Sequence, residues 1–492
     1  MKKVLALFMC LCMVACLAAC GKGEDKKTTT TTKVTVKDDY KGKFRVGFGR
    51  ESVMPEESVP LGGFGATSNR LSNGYLNDIY ADCTAISDQD NKTLLVFAYD
   101  SVGSNAKFGN ELVTTISKAT GVPEDNIIIN HSHSHSTPDT RNTELGTILE
   151  YTASLPAIFV KAAETALNSR VPAKMYYGET QAQGLNFVRH YFAQNADGGE
   201  TFALGDNHKD LGFKGKLLGH TTESDHTVFT VKFERENNEK DVYLVSFRAH
   251  PTFTGGSAKY DVSSDWVGPL RENVEKELDA YCTYLQGAAG NNNSKSRIAG
   301  ESRADYFRDH GKYLAEYVIN TAKNLTEVKT GSIVNKTWIY TGAVNHADDG
   351  KVGLAQVVAN YWNTSYDGTG AKKLAETYGM ASQYHANAII NRSKMGQTQD
   401  VKLTCFAIGD LAFTGGSFEQ FDTNSRYIID NSPYKYTIPL GYTGYQQGYI
   451  PSKFAFEYGC YESDTTAFVA GTGEDIANDL LAKLNDAKKL SK

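Results

Sequence analysis

The sequence predicts an α/β fold in which mixed β-sheets pack against helices within a single large domain. The run TLLVFAYDS, 93–101, is apolar and rich in β-branched and aromatic residues, which is typical of a buried strand. GNELVTTISKATG, 109–121, has helical spacing and stops at Gly121, and the segment NIIIN that follows is again strand-like. A strand, a helix and a strand in this order favour an α/β crossover.

The same mixture of elements continues along the chain. Residues 226–251 alternate on both sides of the turn ENNEKD and predict a hairpin, and 402–416 predict two short strands joined by a Gly-Asp turn. Helical patterns cover 154–171, 265–280, 302–325 and 473–490. The pattern at 265–280 follows a Ser-Ser-Asp capping signal. Because no repeat or linker interrupts the chain after residue 43, we expect one large domain over 44–492.

The first 43 residues have the composition of an export and anchoring segment. Lys2 and Lys3 precede an apolar run over 4–19, which is short for a membrane span and has the anatomy of a signal peptide. Its ending, LAAC, resembles a bacterial lipobox, which implies a signal peptide at 1–19 and lipidation of Cys20; ordinary cleavage and no cleavage are the alternatives. Residues 20–43, rich in Thr and Lys, predict a flexible tether. We therefore expect an extracytoplasmic protein, lipid-anchored to the bacterial cell membrane.

Charge and cysteine content exclude two classes of function. The net charge is -6, and no basic cluster is interleaved with aromatic residues, so nucleic acid is not an expected partner. Four of the eight cysteines lie in the signal segment, and the others are widely spaced, at Cys83, Cys282, Cys405 and Cys460. No C-x-x-C pair exists, which excludes a zinc ribbon. Disulfides outside the cell are conceivable, but spacing alone does not pair them.

Three histidines alternate with serines at the end of a predicted strand, in IIINHSHSHSTPDT, 127–140. If the strand continued, His131, His133 and His135 would all point to one face, with neighbours ~6.6 Å apart along the strand. Two neighbouring imidazoles could then share a metal, whereas all three could do so only if the strand curled. The position also suits a ligand site, because open α/β sheets bind ligands at the carboxyl ends of strands. The alternative is a polar strand end with solvated histidines.

Further candidates lie elsewhere in the chain. His250 follows the predicted strand 242–247 directly before Pro251, and Glu419 follows a Gly-Gly turn. The last stretch of the chain is rich in tyrosine, including Tyr449 and Tyr461, and QGAAGNNNS is a loop of small and amide residues. Taken singly, a packed core histidine, a charge at a helix N-terminus and ordinary aromatic packing explain these residues equally well.

Several of these segments resemble the neutral, or alkaline non-lysosomal, ceramidase family. Its THTHSGP motif is similar to SHSHSTP at 132–138, and its HPT motif to 250–252. Weaker similarities connect its NSDNVG segment with 263–268, its NRSP segment with 186–189 and its GEF segment with 417–419. Its YxTxxEEYxxQxYE segment is similar to 449–462, and its N-terminal VGRADxTGP…MGY is similar to 46–65. The order of the segments is kept from about 44 to about 470.

The resemblance implies an α/β zinc hydrolase domain and assigns roles to individual residues. The implied ligands of Zn²⁺ are His133, His250, Glu419 and Tyr449. The implied substrate-side groups, which hold the reacting carbonyl and the developing oxyanion, are His135, Arg189 and Tyr461. The implied substrate loops contain Gly63, Gly290, Asn291 and Asn293.

The sequence departs from the family pattern in two places. The family loop NxGDxSPN carries a serine with an assigned catalytic role, but here it reads AAGNNNSKS, so Asn293 occupies the serine position and Ser294 comes one residue late. Ser294 is therefore only a weak candidate for a catalytic role. The chain also has no room after the catalytic domain for the family's C-terminal immunoglobulin-like domain, so none is expected within it.

Together these observations predict a zinc-dependent amidohydrolase of an N-acyl amide, either a ceramide-like lipid or a related small molecule. Zinc lowers the pKa of bound water to ~7, and the resulting hydroxide would attack the carbonyl. His135 would act as general base and acid, and Arg189 and Tyr461 would stabilise the oxyanion. The alternatives are a zinc esterase or deacetylase that acts on cell-envelope carbohydrate, and a non-catalytic lipoprotein that binds at the cell surface.

Overall fold

The computed structural model describes residues 40–64, 70–143, 146–199, 201–205, 215–295 and 303–490. These residues belong to one compact unit, Val34–Lys492. The predicted signal peptide, the lipidation site Cys20 and tether residues 20–39 lie outside the described residues. Among the described residues, no helix has both the length and the apolar character needed to span a membrane.

Helices and strands are distributed over the whole of the described chain. The helices are α1 (Ala106–Thr120), α2 (Thr147–Asn168), α3 (Val267–Leu278), α4 (Arg303–Thr321), α5 (Val352–Ser365), α6 (Gly368–Thr377), α7 (Gln383–Arg392), α8 (Asp422–Asn431), α9 (Lys453–Tyr458), α10 (Tyr461–Thr465) and α11 (Thr472–Leu490). The strands are β1 (Arg45–Ser52), β2 (Gly74–Tyr75), β3 (Tyr80–Ser87), β4 (Thr93–Tyr99), β5 (Ile127–His131), β6 (Val171–Gln181), β7 (Asn186–Val188), β8 (His190–Gln194), β9 (Thr201–Gly205), β10 (Lys216–His220), β11 (Thr227–Arg235), β12 (Val242–Phe247), β13 (Asp261–Val262), β14 (Tyr281–Gln286), β15 (Asn292–Ser294), β16 (Thr326–Val328), β17 (Ile333–Ala343), β18 (Thr398–Ile408), β19 (Leu411–Gly416), β20 (Glu419–Gln420), β21 (Tyr436–Pro439) and β22 (Tyr449–Ile450).

Two mixed sheets form the centre of the domain. The larger has the order β14-β12-β11-β6-β1-β3-β4-β5, with β16 also paired to β6, and the smaller has the order β17-β18-β19-β21. One apolar cluster contains side chains from both sheets, such as Val96 and Ile128 of the larger and Phe406 and Phe413 of the smaller. The sheets therefore pack face to face, which together with the helices outside them explains why strands such as β4, β5, β12 and β19 are buried on both faces.

Helices cover the outer face of each sheet. Helices α1 and α2 pack on β1, β3, β4 and β5, and α3 and α4 pack on the other half of the larger sheet. Helices α8 and α11 cover the smaller sheet. Charged side chains at both ends of α11 interact favourably with the helix dipole, because Glu474 and Asp475 lie in its first turn and Lys488 and Lys489 lie in its last. Helices α5, α6 and α7 form a separate small cluster.

The predicted α/β class with mixed sheets and packed helices is confirmed. Strands β4 and β5 are parallel neighbours joined through α1, as the crossover requires, and β11 and β12 form the predicted hairpin. The capping prediction for α3 is wrong, because its N-cap is Trp266 and makes no side-chain capping bond. Asp265 instead accepts from the backbone N–H groups of Trp266 and Thr254. The four described cysteines are buried and free, so no disulfide links them.

Strand β1 lies unusually close to helix α2. Val46 and Phe48 face the core between the sheets, whereas Gly47 and Gly49 face α2. A Cβ atom at Gly47 would lie 2.0 Å from the carbonyl oxygen of Ala166. We expect Gly47→Ala to lower the free energy of unfolding by about 1–3 kcal/mol, because the helix backbone would have to move. Chemical denaturation measures the change.

Gly353 provides the matched control. It lies in the first turn of α5, and a Cβ atom there would meet nothing within 4 Å. Gly353→Ala should therefore leave stability unchanged or raise it by up to about 1 kcal/mol, since Ala favours helix. Equal stability of the two variants would contradict the proposed close packing of α2 on β1.

Candidate metal centre

The histidine motif leaves the sheet earlier than predicted. Strand β5 ends at His131, and His133 has φ 62°, in the left-handed region. The three histidines therefore do not share one face of a strand, as alternation predicted. His133 instead turns so that its Nδ1 lies 2.6 Å from the carbonyl oxygen of Val102. His131 lies apart, with Nε2 3.3 Å from the carbonyl oxygen of Gly444, and burial lowers its pKa to about 4. A left-handed non-glycine residue is strained, and such strain concentrates at functional sites.

The same turn brings His135 against His133. Their Nε2 atoms are 3.2 Å apart. Gly63 makes this position accessible, because it has φ 88° and a Cβ atom there would lie 2.4 Å from Cβ of His135. The backbone N–H of Phe64 donates to Nδ1 of His135 at 3.3 Å, and the Phe64 ring packs edge-on against the imidazole. The predicted substrate-loop glycine thus contacts a predicted substrate-side residue.

His250 reaches the cluster from the end of β12. Its backbone bridges to Asn293, and its N–H donates to the carbonyl oxygen of Asn292. Its Nδ1 lies 2.9 Å from the same oxygen, so Nε2 faces the other histidines. Candidate ligand atoms of His133, His135 and His250 all lie within 4.8 Å of one another. The segments that follow β5 and β12, which are distant in sequence, therefore bring three imidazoles together.

Glu419 completes the cluster from a two-stranded sheet. Its Oε2 lies 3.3 Å from Nε2 of His133 and 3.2 Å from Nε2 of His250. The hydroxyl of Tyr442 donates to Oε2 at 3.1 Å, and the amide of Gln446 donates to Oε1 at 2.6 Å. These two donors fix the carboxylate in its position, and Glu419 is only 3% exposed.

The hydrogen bonds of Nδ1 in His133 and His250 determine whether the Nε2 atoms of these rings donate or accept. An Nδ1 that faces a carbonyl oxygen carries the proton, so neutral His133 and His250 each present an unprotonated Nε2. Together with Oε2 of Glu419, these are three acceptors in contact, and Nε2 of His250 is buried without a hydrogen-bond partner among the described residues. Buried acceptors at such distances need a cation or a proton between them.

Burial and neighbouring charges shift the pKa values of three groups in the cluster. Burial, together with the charge of Arg189, lowers the pKa of His250. Burial, together with His133 and His250, holds the pKa of His135 well below its ordinary value. Burial would raise the pKa of Glu419, but attraction to the protonated forms of His133 and His250 outweighs it and holds that pKa well below its usual range, so the carboxylate is ionised. A carboxylate and imidazole nitrogens are the donors that Zn²⁺ takes, so the residues present fit this ion.

Tyr449 and Arg189 lie beside the cluster. Strands β20 and β22 pair with Tyr449 directly opposite Glu419. The hydroxyl of Tyr449 is 3.2 Å from a guanidinium nitrogen of Arg189, which also donates to the carbonyl oxygen of Gly290 at 2.9 Å. The other terminal nitrogen of Arg189 is 3.4 Å from Oδ1 of Asn293. Burial, followed by the charge of Glu419, raises the pKa of Tyr449 well above its ordinary value.

The remaining predicted residues are placed less directly. The hydroxyl of Ser294 donates to the carbonyl oxygen of His250 at 2.8 Å, so it is engaged with the backbone of β12. Asn291 accepts the backbone N–H of Asp422 at 2.9 Å and thereby holds the loop. The ring of Tyr461 lies 5.7 Å from that of Tyr449. The structure therefore brings Tyr461 next to the cluster but gives the Ser294 hydroxyl a structural contact.

Sequence reasoning missed four residues of the site. Tyr442 and Gln446 hold Glu419, and Glu462 and His190 contact the neighbourhood of Arg189. Glu462 and His190 each directly follow a predicted residue in the chain, which was the available signal. Tyr442 and Gln446 had no such signal in the sequence, because their contacts depend on the turn that precedes β22.

Comparison with solved structures identifies proteins of similar architecture. No protein-family model matches the sequence, and no curated protein does. Among solved structures, the neutral ceramidase from Pseudomonas aeruginosa is similar, with a TM-score of 0.68 and 15% identity, over 90% of this chain and 75% of that one. A ceramidase complexed with C2 is similar over the same shares, with a TM-score of 0.66 and 15% identity. The chain therefore has the fold of the neutral ceramidase structures.

Proposed function

We propose that this protein is a zinc-dependent hydrolase of an N-acyl amide, ceramide-like or related. The observation that carries the proposal is the contact of two imidazole Nε2 atoms, of His133 and His250, with Oε2 of Glu419 in a buried site. The neutral ceramidase fold supports the proposal, since the structures that share it are described as ceramidases. Tyr449, opposite Glu419, would be the fourth ligand.

His135 would act mainly as a hydrogen-bond donor. When bound, zinc supplies a Lewis acid and a water molecule of pKa ~7. Because Nδ1 of His135 accepts from Phe64, the proton of the neutral ring is on Nε2, which faces the ligand atoms. His135 would therefore donate to the carbonyl oxygen of the substrate. A general-base role, as expected from the sequence, requires the other tautomer.

Arg189 and Tyr461 would stabilise the charge that develops on that oxygen. Arg189 is held 3.2 Å from the hydroxyl of Tyr449, beside the cluster, and carries a permanent charge. Removing one such donor costs about 10²–10³-fold in kcat in acyl-transfer sites. The guanidinium and the phenol would act together on one oxyanion.

A row of aromatic rings supports an acyl chain as part of the substrate. Ring centroids are 5.7 Å apart for Tyr449 and Tyr461, 5.6 Å for Tyr461 and Tyr384, and 5.1 Å for Tyr384 and Trp362. All four rings are partly exposed. The row leads from the proposed ligand Tyr449 to α5, and such a wall suits contact with an apolar chain.

The test compares two substrates. We expect zinc-loaded protein to release fatty acid from a short-chain N-acylsphingosine, and Tyr461→Phe to reduce kcat by about 10²-fold or more. Tyr427→Phe is the control, because Tyr427 is an exposed residue of α8 whose hydroxyl bonds Asn478. Release of acetate from an acetylated sugar without release of fatty acid would replace the amidase proposal with the deacetylase one, and no turnover of either would support a binding role.

A further inference from the structure

Glu462 forms a buried junction behind the proposed oxyanion donors. It is fully buried, and its Oε1 accepts from Nε of Arg189 at 2.6 Å. Its Oε2 lies 2.7 Å from Nε2 of His190, whose Nδ1 lies 2.8 Å from the hydroxyl of Tyr458. One carboxylate therefore contacts two consecutive residues of the chain, one through each oxygen.

The position of these residues in the fold links them to the site. Arg189 stands between β7 and β8, and its backbone N–H donates to the carbonyl oxygen of Asn291 at 2.9 Å. Glu462 lies in the first turn of α10, directly after Tyr461. A single ion pair thus ties the segment that carries one proposed oxyanion donor to the helix that carries the other.

A second metal site is the competing interpretation of this cluster. Candidate ligand atoms of His190, Cys460 and Glu462 lie within 4.8 Å of one another. However, both ring nitrogens of His190 already face polar partners, and the guanidinium of Arg189 occupies Oε1 of Glu462. Burial, followed by the charge of Glu462, also raises the pKa of the Cys460 thiol well above its ordinary value. A permanent positive charge and a protonated thiol disfavour a cation here.

We propose that Glu462 is a positioning residue that holds Arg189 in its working orientation toward the substrate carbonyl, an inference that rests on the proposed function. The contact to Glu462 occupies the Nε edge of the guanidinium, and one terminal nitrogen faces Gly290 and Tyr449. Within the part of the chain that the structure describes, the other terminal nitrogen makes a 3.4 Å contact to Oδ1 of Asn293 and no shorter hydrogen bond. This nitrogen is the donor that remains for a bound ligand.

The charge state of the junction agrees with this role. Burial would raise the pKa of Glu462, but Arg189 and His190 outweigh it and hold that pKa below its ordinary value. The carboxylate is therefore ionised, and its bond to Arg189 is charge-assisted, with the strength and directionality that positioning requires. His190 keeps the second oxygen from rotating toward the guanidinium.

The first experiment removes the charge and keeps the shape. We expect Glu462→Gln to lower kcat on the N-acyl substrate by about 10–100-fold, the range for residues that orient a catalytic group, with KM nearly unchanged. Bound zinc should remain at the wild-type level, because Glu462 contacts none of the proposed ligands directly. Glu457→Gln, an exposed carboxyl on the neighbouring helix α9, is the matched control. Loss of zinc in Glu462→Gln would overturn the proposal.

The second experiment separates positioning from general structural support. In the Arg189→Met background, which has no guanidinium to orient, Glu462→Gln should change kcat by less than about 2-fold, whereas independent effects would multiply. The double variant removes both partners of the ion pair, whereas each single variant leaves one of them behind, with His190 still bonded to Glu462 in Arg189→Met, so chemical denaturation first establishes that all three variants are folded. Multiplying effects would show that Glu462 does not act through Arg189.

A third measurement does not depend on turnover. Binding of butyrate to the zinc-loaded protein, measured by calorimetry, should weaken about 10-fold in Glu462→Gln and stay unchanged in Glu457→Gln, because a displaced guanidinium pairs poorly with a carboxylate. If the wild-type protein releases no fatty acid, the proposed function fails while this measurement still tests Glu462. If the wild type is active and both measurements match the Glu457→Gln control, only the positioning role fails.

Discussion

Purified His133→Ala protein is expected to contain no stoichiometric zinc and to hydrolyse the N-acyl substrate about 10³-fold more slowly than the wild type, or not at all. The substitution removes one of two Nε2 atoms in contact with Oε2 of Glu419, and the remaining donors cannot enclose the ion. His250→Ala should behave in the same way. Elemental analysis of the purified proteins and initial rates measure both effects.

His131→Gln is the control within the same motif. His131 is as buried as His133, but its Nε2 faces the carbonyl oxygen of Gly444, away from the ligand atoms. The His131→Gln protein should therefore retain the metal. Chelation of the wild type followed by one equivalent of zinc should abolish and then restore the activity. Full metal content in both His133→Ala and His250→Ala would show that the cluster is not the metal centre.

The second large effect concerns stability. Arg271→Met is expected to lower the free energy of unfolding by about 3–5 kcal/mol, because it leaves a buried charge without its partner. Arg271 of α3 contacts Oδ2 of Asp100 at 2.6 Å, with 4% and 2% of the two side chains exposed. Asp100 also accepts the backbone N–H of Tyr80 at 3.0 Å. Denaturant titration measures the loss.

Two controls identify the cause of that loss. The double variant Asp100→Asn with Arg271→Met removes both charges and should recover most of the stability. Lys161→Met breaks the ion pair with Glu51 at the surface, where 70% of the lysine side chain is exposed, and should change stability by no more than a few tenths of a kcal/mol. A double variant as unstable as Arg271→Met would point to lost packing rather than to the unpaired carboxylate.

Much of the architecture could be predicted because it depends on local patterns. The crossover from β4 through α1 to β5 and the hairpin of β11 and β12 follow from runs of apolar residues and from turns. The capping of α3 could not be predicted from its Ser-Ser-Asp signal, since Asp265 is drawn to Thr254, eleven residues earlier. Local capping signals are overridden when a tertiary partner competes for the same oxygen.

The candidate site could be predicted as a set of residues but not as a geometry. Regular alternation predicted that the histidines lie on one face, because no residue pattern in the sequence indicates that His133 adopts φ 62°. The strands β20 and β22, which bring Glu419 opposite Tyr449, have two residues each and leave no periodic signal. The resemblance selected the side chains, whereas tertiary pairing sets the distances between them.

The pairing of β20 with β22 has a consequence for how the protein matures. The two histidines at 133 and 135 and the carboxylate at 419 come from distant parts of the chain. The carboxylate arm joins them only when the last quarter of the polypeptide has docked. Because binding of the ion is coupled to folding, the ion would be captured late and would then lock the two ends of the domain together. A bound ion would thus mark molecules in which both parts of the chain have docked.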